Sequence, residues 1–255
     1  MILLSGWSAS GLAWPRSWIR DLQRSFRVIR IDNRGSGWSR YAELPFTMAD
    51  LAGDVVDVMD DAQVPSATLF GLSMGGMIAQ EIAMTARERV TGLVLAATAP
   101  PTPGFKPRTG SALAVALVRP PLYREPLDQY FRKLWTMATA EGFAERRPDV
   151  IEELVQQILE RPTPRSLLMH QLRAVIGWGH ASRLARITVP TVVVHGTEDS
   201  FMDIRAGRRL AELVPGARFV ELEGVGHLVA HEAPEIATQL IREVSEPAAA
   251  AVSSA

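Results

Sequence analysis

The sequence predicts an α/β fold: a mostly parallel sheet flanked by helices and interrupted by a helical insertion. Three observations predict it. Short apolar, β-rich runs alternate with helical patterns up to about Ala97. The alternation stops between about Ala99 and Ile187, where no clear strand occurs, and resumes at Thr191. The 255 residues leave room for one large domain carrying such an insertion. The strands are apolar throughout and not alternating, which argues for burial on both faces, hence a parallel sheet covered by helices.

The elements follow in order. Ile2-Leu3-Leu4-Ser5 reads as a buried strand, and a helical stretch from Trp14 to Ser25 follows. Phe26 to Asp32 is the next strand, closed by the turn Asn33-Arg34-Gly35-Ser36-Gly37. Thr47 is a good N-cap for a helix to about Asp61, with apolar residues at Leu51, Val55, Val58 and Met59. Ala67 to Gly71 is a strand, Ser73 to Thr85 a helix, and Thr91 to Ala97 a strand. The insertion begins proline-dense and then shows helical patterns near Leu127–Ala140, Asp149–Glu160 and Pro164–Ile176. Strand Thr191–His195, helix Ile204–Leu213, strand Ala217–Leu222 and helix Pro234–Glu243 complete the pattern. The division expected is a core over 1–98 and 188–245, an insertion over 99–187, and an Ala/Ser/Pro-rich disordered tail over 246–255.

Composition excludes whole classes of function. A net charge of −1 gives no bulk electrostatic case for nucleic acid or an anionic membrane surface. The absence of cysteine removes disulfides, thiolate metal sites, iron–sulfur clusters and a cysteine nucleophile. No apolar run reaches the roughly 20 residues of a membrane span. The first residues lack the basic segment of a secretory signal, so the expected location is cytoplasmic.

Gly71-Leu72-Ser73-Met74-Gly75 is G-x-S-x-G, and it sits between an expected strand and an expected helix. Such a turn holds the serine in a strained conformation with its hydroxyl exposed, and flanking glycines avoid Cβ clashes. The positive end of the following helix favours a developing oxyanion. A glycine turn with an incidental serine is the rival reading, and the strand-to-helix context argues against it.

A serine nucleophile needs a base, and the base needs an orienting carboxylate. Asp199 lies in the turn after strand Thr191–His195, and His227 lies in Gly224-Val225-Gly226-His227 after strand Ala217–Leu222. Both fall beyond the carboxyl ends of parallel strands, on the sheet edge of Ser73, where open α/β sheets place their sites. The order Ser, Asp, His matches one known triad order. Glu198 and Asp203 are rival acids. His195, which ends a strand before a glycine, reads as structural, and His170 and His180 lie in the insertion without a fixed partner. His227 and His231 have His-x-x-x-His spacing, but no Glu follows the first His, so no metal is expected.

With these motifs the chain resembles the α/β-hydrolase fold family with a helical cap, over nearly all of residues 1–245. Gly71-Leu72-Ser73-Met74-Gly75-Gly76, Asp32-Asn33-Arg34-Gly35-Ser36-Gly37, Gly196-Thr197-Glu198-Asp199 and Gly226-His227 carry the likeness. The resemblance implies a catalytic triad of Ser73, Asp199 and His227, and an oxyanion hole made by the backbone N–H groups of Trp7 and Met74. Ser5-Gly6-Trp7 stands where the family usually has His-Gly-x, and a Ser there is similar to some enol-lactonases. It also implies a mainly eight-stranded sheet. Its first β-hairpin is missing here, so strand Phe26–Asp32 becomes an exposed edge, expected to be covered in a homodimer unless about 25 upstream residues are absent.

The expected function is a serine hydrolase acting on a small or medium apolar ester or lactone, with no cofactor. Trp135, Met137, Met169, Leu172 and Trp178 of the insertion are candidate pocket residues. Cofactor-free perhydrolases share Ser-Met-Gly-Gly and remain an alternative. Carbon–carbon bond hydrolases on the same triad usually carry Asn where this chain has Leu72. A small-molecule sensor of the same fold is the alternative from outside enzymology.

Overall fold

The computed structural model describes residues 1–39, 42–102 and 126–246. The expected tail from residue 247 onward and the proline-dense part of the insertion over 103–125 lie outside them. Six strands form one sheet in the order β2-β1-β3-β4-β5-β6, and every neighbouring pair is parallel. They are β1 (Ile2–Leu4), β2 (Ile29–Ile31), β3 (Ala67–Leu72), β4 (Val90–Ala96), β5 (Thr191–Gly196) and β6 (Arg218–Leu222).

Helices α1 (Arg16–Leu22), α2 (Met48–Asp61) and α3 (Met74–Thr85) lie between the first four strands. Helices α4 (Leu127–Ala138), α5 (Phe143–Arg146), α6 (Pro148–Glu160) and α7 (Arg165–Ile176) come between β4 and β5. Helix α8 (Ile204–Leu213) joins β5 to β6, and α9 (Val229–Glu232) and α10 (Pro234–Ser245) end the described chain. The short helices α5 and α9 are too brief to leave a periodic signal in the sequence.

Alternate strand residues feed two cores, one on each face of the sheet. Leu3, Phe70, Val94 and Val192 pack with Trp18 and Leu22 of α1 and Leu240 and Ile241 of α10. Ile2, Leu4, Leu69, Leu93 and Val193 pack with Leu51 and Val55 of α2, Ile78 and Ile82 of α3, and Leu210 of α8. This two-sided burial is why the strands carry no polar alternation.

Strand β2 is shorter than the strand expected over Phe26–Asp32. The Phe26 N–H is taken by the Leu22 carbonyl at 2.9 Å, so the first part of the run still belongs to the exit from α1. The rest is in ladder register with the three residues of β1, and Met1 extends the contact by accepting the Ile29 N–H at 3.0 Å and donating to the Arg27 carbonyl at 2.8 Å. Arg34 ties the following turn to α2 through an ion pair with Asp54.

The inserted helices are fastened to the loops above the sheet. The Trp7 indole donates to the Leu168 carbonyl at 2.9 Å, and the Ser8 N–H to Gln171 Oε1 at 3.2 Å. Gln171 Nε2 donates to Ser36 Oγ at 2.9 Å, and the Thr163 hydroxyl to the Ser8 carbonyl at 2.9 Å. Among the described residues no helix is long and apolar enough to cross a membrane.

Candidate active site

Ser73 stands between β3 and α3 with φ 56° and ψ −118°, a strained backbone conformation for a residue with a side chain. The surroundings enforce it. Ser73 N–H donates to the Ala96 carbonyl at 2.9 Å, and its own carbonyl accepts from Thr98 Oγ1 at 2.8 Å and Gly76 N–H at 2.9 Å. A Cβ on Gly75 would lie 2.0 Å from the Leu4 carbonyl oxygen, so only glycine lets α3 start against β1.

Gly6 passes directly beside the serine, its ideal Cβ position 3.3 Å from Ser73 Cβ. The loop Ser5-Gly6-Trp7 is thereby brought over the hydroxyl. Among the described residues neither the Trp7 nor the Met74 backbone N–H has an intramolecular acceptor. Neither N–H group is thus committed to a partner within the described chain.

His227 and Asp199 meet across the loops after β6 and β5. His227 Nδ1 and Asp199 Oδ2 are 2.8 Å apart, and the carboxylate side chain is completely buried. Asp199 Oδ1 accepts the backbone N–H groups of Phe201 and Met202, each at 2.8 Å. The Phe201 ring packs over the imidazole with centroids 5.0 Å apart. Burial pushes the Asp199 carboxyl upward. The charge of His227 and hydrogen bonds from His195 and His227 outweigh that and hold it well below the usual carboxylate range.

The neighbouring acids are engaged elsewhere. Glu198 Oε2 accepts the Glu141 N–H at 2.8 Å, and Asp203 caps α8 through the Arg205 N–H at 2.9 Å. His195 has a larger part than the sequence shows. Its Nε2 lies 3.1 Å from Asp199 Oδ2 and 3.2 Å from the Met202 carbonyl. A carbonyl only accepts, so Nε2 carries the proton and donates to both oxygens. Asp199 is thus gripped by two imidazoles and two peptide N–H groups. The i, i+4 spacing of His195 and Asp199 is a signal, but it is legible only once the turn is known.

Ser73 and His227 line one cavity, together with Trp7, Trp14, Met74, Leu134, Trp135 and Phe201. The Ser73 hydroxyl and the imidazole do not hydrogen bond in this structure; such contacts often tighten only with substrate bound. Among the described residues no Lys, Arg, Asp or Glu lines the cavity.

Of the candidate pocket residues, Trp135 and Leu172 line the cavity. Three do not. Met137 and Met169 lie on the outward sides of their helices, each 42% exposed. Trp178 is buried in the core under α3, its indole donating to Glu81 Oε2 at 2.9 Å. Apolar character alone does not separate these positions; the face each helix turns to the sheet does. Trp14 and Phe201 also line the cavity and carry no local sequence mark, and His231, which the sequence marks only by its spacing from His227, joins them.

A family profile described as the alpha/beta hydrolase fold matches residues 1–234. The chain is 28% identical to a pimeloyl-(acyl-carrier protein) methyl ester esterase of Aliivibrio salmonicida, over 95% of this chain and 90% of that protein. It is 27% identical to a 3-oxoadipate enol-lactonase of Acinetobacter baylyi, over 95% of this chain and 87% of that one. The solved structure of a thermophilic esterase from Thermogutta terrifontis superposes with a TM-score of 0.77 at 28% identity, covering 95% of this chain and 87% of its own. With the profile spanning nearly the whole chain and the serine turn seated between β3 and α3, the chain belongs to the α/β-hydrolase fold family.

Proposed function

We propose that this enzyme is a serine hydrolase that cleaves a carboxylic ester or lactone of a small to medium apolar substrate through an acyl-enzyme. The observation that carries the reading is the strained Ser73 sharing one uncharged cavity with a His227–Asp199 pair. Esterases and an enol-lactonase among its relatives support ester hydrolysis as the reaction class.

In this reading Asp199 holds His227 with the proton on Nδ1, leaving Nε2 free as the base. Ser73 Oγ gives its proton to His227 and bonds to the carbonyl carbon. The oxyanion accepts the N–H groups of Trp7 and Met74. The bond to the leaving oxygen breaks as His227 returns the proton to it. Water then repeats the attack on the acyl group and frees Ser73. These steps use only side chains of the chain and water. The lining aromatics and aliphatics favour an apolar acyl group, since a buried charge there would find no partner.

The test is Ser73→Ala assayed with p-nitrophenyl acetate and butyrate. Hydrolysis is expected to vanish with circular dichroism unchanged. Undiminished turnover in that variant would overturn the reading.

A further inference from the structure

We propose that Glu232 is the positioning residue for His227: its carboxylate clamps the backbone on both sides of the histidine and ties it to the inserted helices. The proposal rests on the reading of His227 as the base. Glu232 ends α9, five residues beyond His227, and has no part in the steps described above.

Its contacts form a closed frame. Glu232 Oε2 accepts the Gly226 N–H at 2.9 Å, and Oε1 accepts the Leu228 N–H at 3.1 Å. The His227 N–H between them donates to the Ala138 carbonyl at 2.7 Å. Three consecutive peptide donors are therefore fixed, which leaves the imidazole only its side-chain torsions. Oε2 also accepts the Ala140 N–H at 2.8 Å, so the same carboxylate holds the chain that leaves α4. A Cβ on Gly226 would sit 2.5 Å from the Ala140 nitrogen, so the two segments touch without room for a side chain.

The frame extends to the acid. Glu141 N–H donates to Glu198 Oε2, and the Ser200 hydroxyl donates to the Met137 carbonyl. Residues 137–141 thus bridge the loop of Asp199 and the loop of His227. Helix α4 brings Leu134 and Trp135 to the cavity wall. A carboxylate is suited to this place because it accepts in several directions and donates in none. An amide would turn an N–H group against at least one of the three donors.

The experiment compares Glu232→Gln and Glu232→Asp with the parent, using p-nitrophenyl butyrate turnover and the rate of Ser73 labelling by a fluorophosphonate. Asp keeps the charge but is one methylene short; Gln keeps the reach but loses an acceptor. Both are expected to lower kcat and the labelling rate about tenfold or more, with KM within about twofold. Glu81→Gln, which weakens the buried contacts to Trp178 and Arg183, is expected to lower Tm and leave kcat unchanged. Two results overturn the proposal: parent-like kcat and labelling in both Glu232 variants, or in the Asp variant alone, which would leave only a charge effect. Ser73→Ala and His227→Ala, run alongside, separate the two failures. Their inactivity with parent-like Glu232 variants refutes the clamp alone; their full activity refutes the hydrolase reading.

Discussion

Asp199 illustrates how much of this site depends on one side chain. Its Oδ1 is bound to two peptide N–H groups, so its Oδ2 has little freedom to turn from His227. In Asp199→Asn the amide oxygen would stay on those two donors and the NH₂ would replace Oδ2. That group would face His227 Nδ1 as a donor and force the ring proton onto Nε2, the nitrogen the proposed mechanism needs free. It would also meet the donating Nε2–H of His195. The expected result is a fall in kcat/KM of about 10⁴-fold with the fold retained, measured on p-nitrophenyl butyrate and by circular dichroism. The proposed acid and base are legible in the sequence because each follows a strand and a glycine turn. His195 and Glu232 are not, because their near partners Asp199, Gly226 and Leu228 come within reach only through the path of the loops, and Ala140 only through the packing of α4 on them.

Helix α2 shows how far local rules reach at the level of an element. Its start matches the sequence expectation because Thr47 and Asp50 form a reciprocal cap. The Asp50 N–H donates to Thr47 Oγ1 at 3.2 Å, and the Thr47 N–H to Asp50 Oδ2 at 2.7 Å. Thr47→Ala is expected to cost about 1 kcal/mol. That corresponds to a Tm lower by roughly 2–4 °C in a chain of this size, read by thermal unfolding with kcat unchanged. Helices α4 and α7 mark the limit of such rules. Their existence is periodic and local, but whether Met137 and Met169 face a cavity or water is set by the neighbours they pack on. The edge strand makes the same point. The sequence expects an edge strand over Phe26–Asp32, whereas β2 at that edge spans three residues, with Arg30 exposed between Ile29 and Ile31.

For the molecule as a whole, the buried His231 makes stability depend on pH. Its Nε2 is 3.0 Å from the Ala13 carbonyl, and burial lowers its pKa to about 4 from an ordinary 6.5. Above pH 6.5 the ring is neutral in both the folded and the unfolded chain, and the group is silent. As pH falls from there, the unfolded chain gains a proton that the folded one refuses, so stability is lost progressively down to about pH 4. The full loss is on the order of 3 kcal/mol. Glu232, pushed up by burial, works in the opposite sense. The difference between the parent and His231→Gln isolates the histidine. Tm is expected to fall less in the variant than in the parent between pH 6.5 and 4, and parallel curves would refute it.

The sequence by itself determined the strand–helix order, the serine turn and the loops that carry Asp199 and His227. Those features are written in short-range terms: period, caps, and glycines where a Cβ cannot fit. Only the tertiary structure decided which apolar residues of the insertion wall the cavity and which carboxylates and imidazoles brace the site. Those outcomes depend on contacts between segments far apart in the chain, such as Trp7 with Leu168 and Ala140 with Glu232. Hydrophobic burial is non-directional, so the sequence states that Met137 is apolar but not which neighbour it meets. A hydrogen bond is directional, and its partner is known only when both segments are in place.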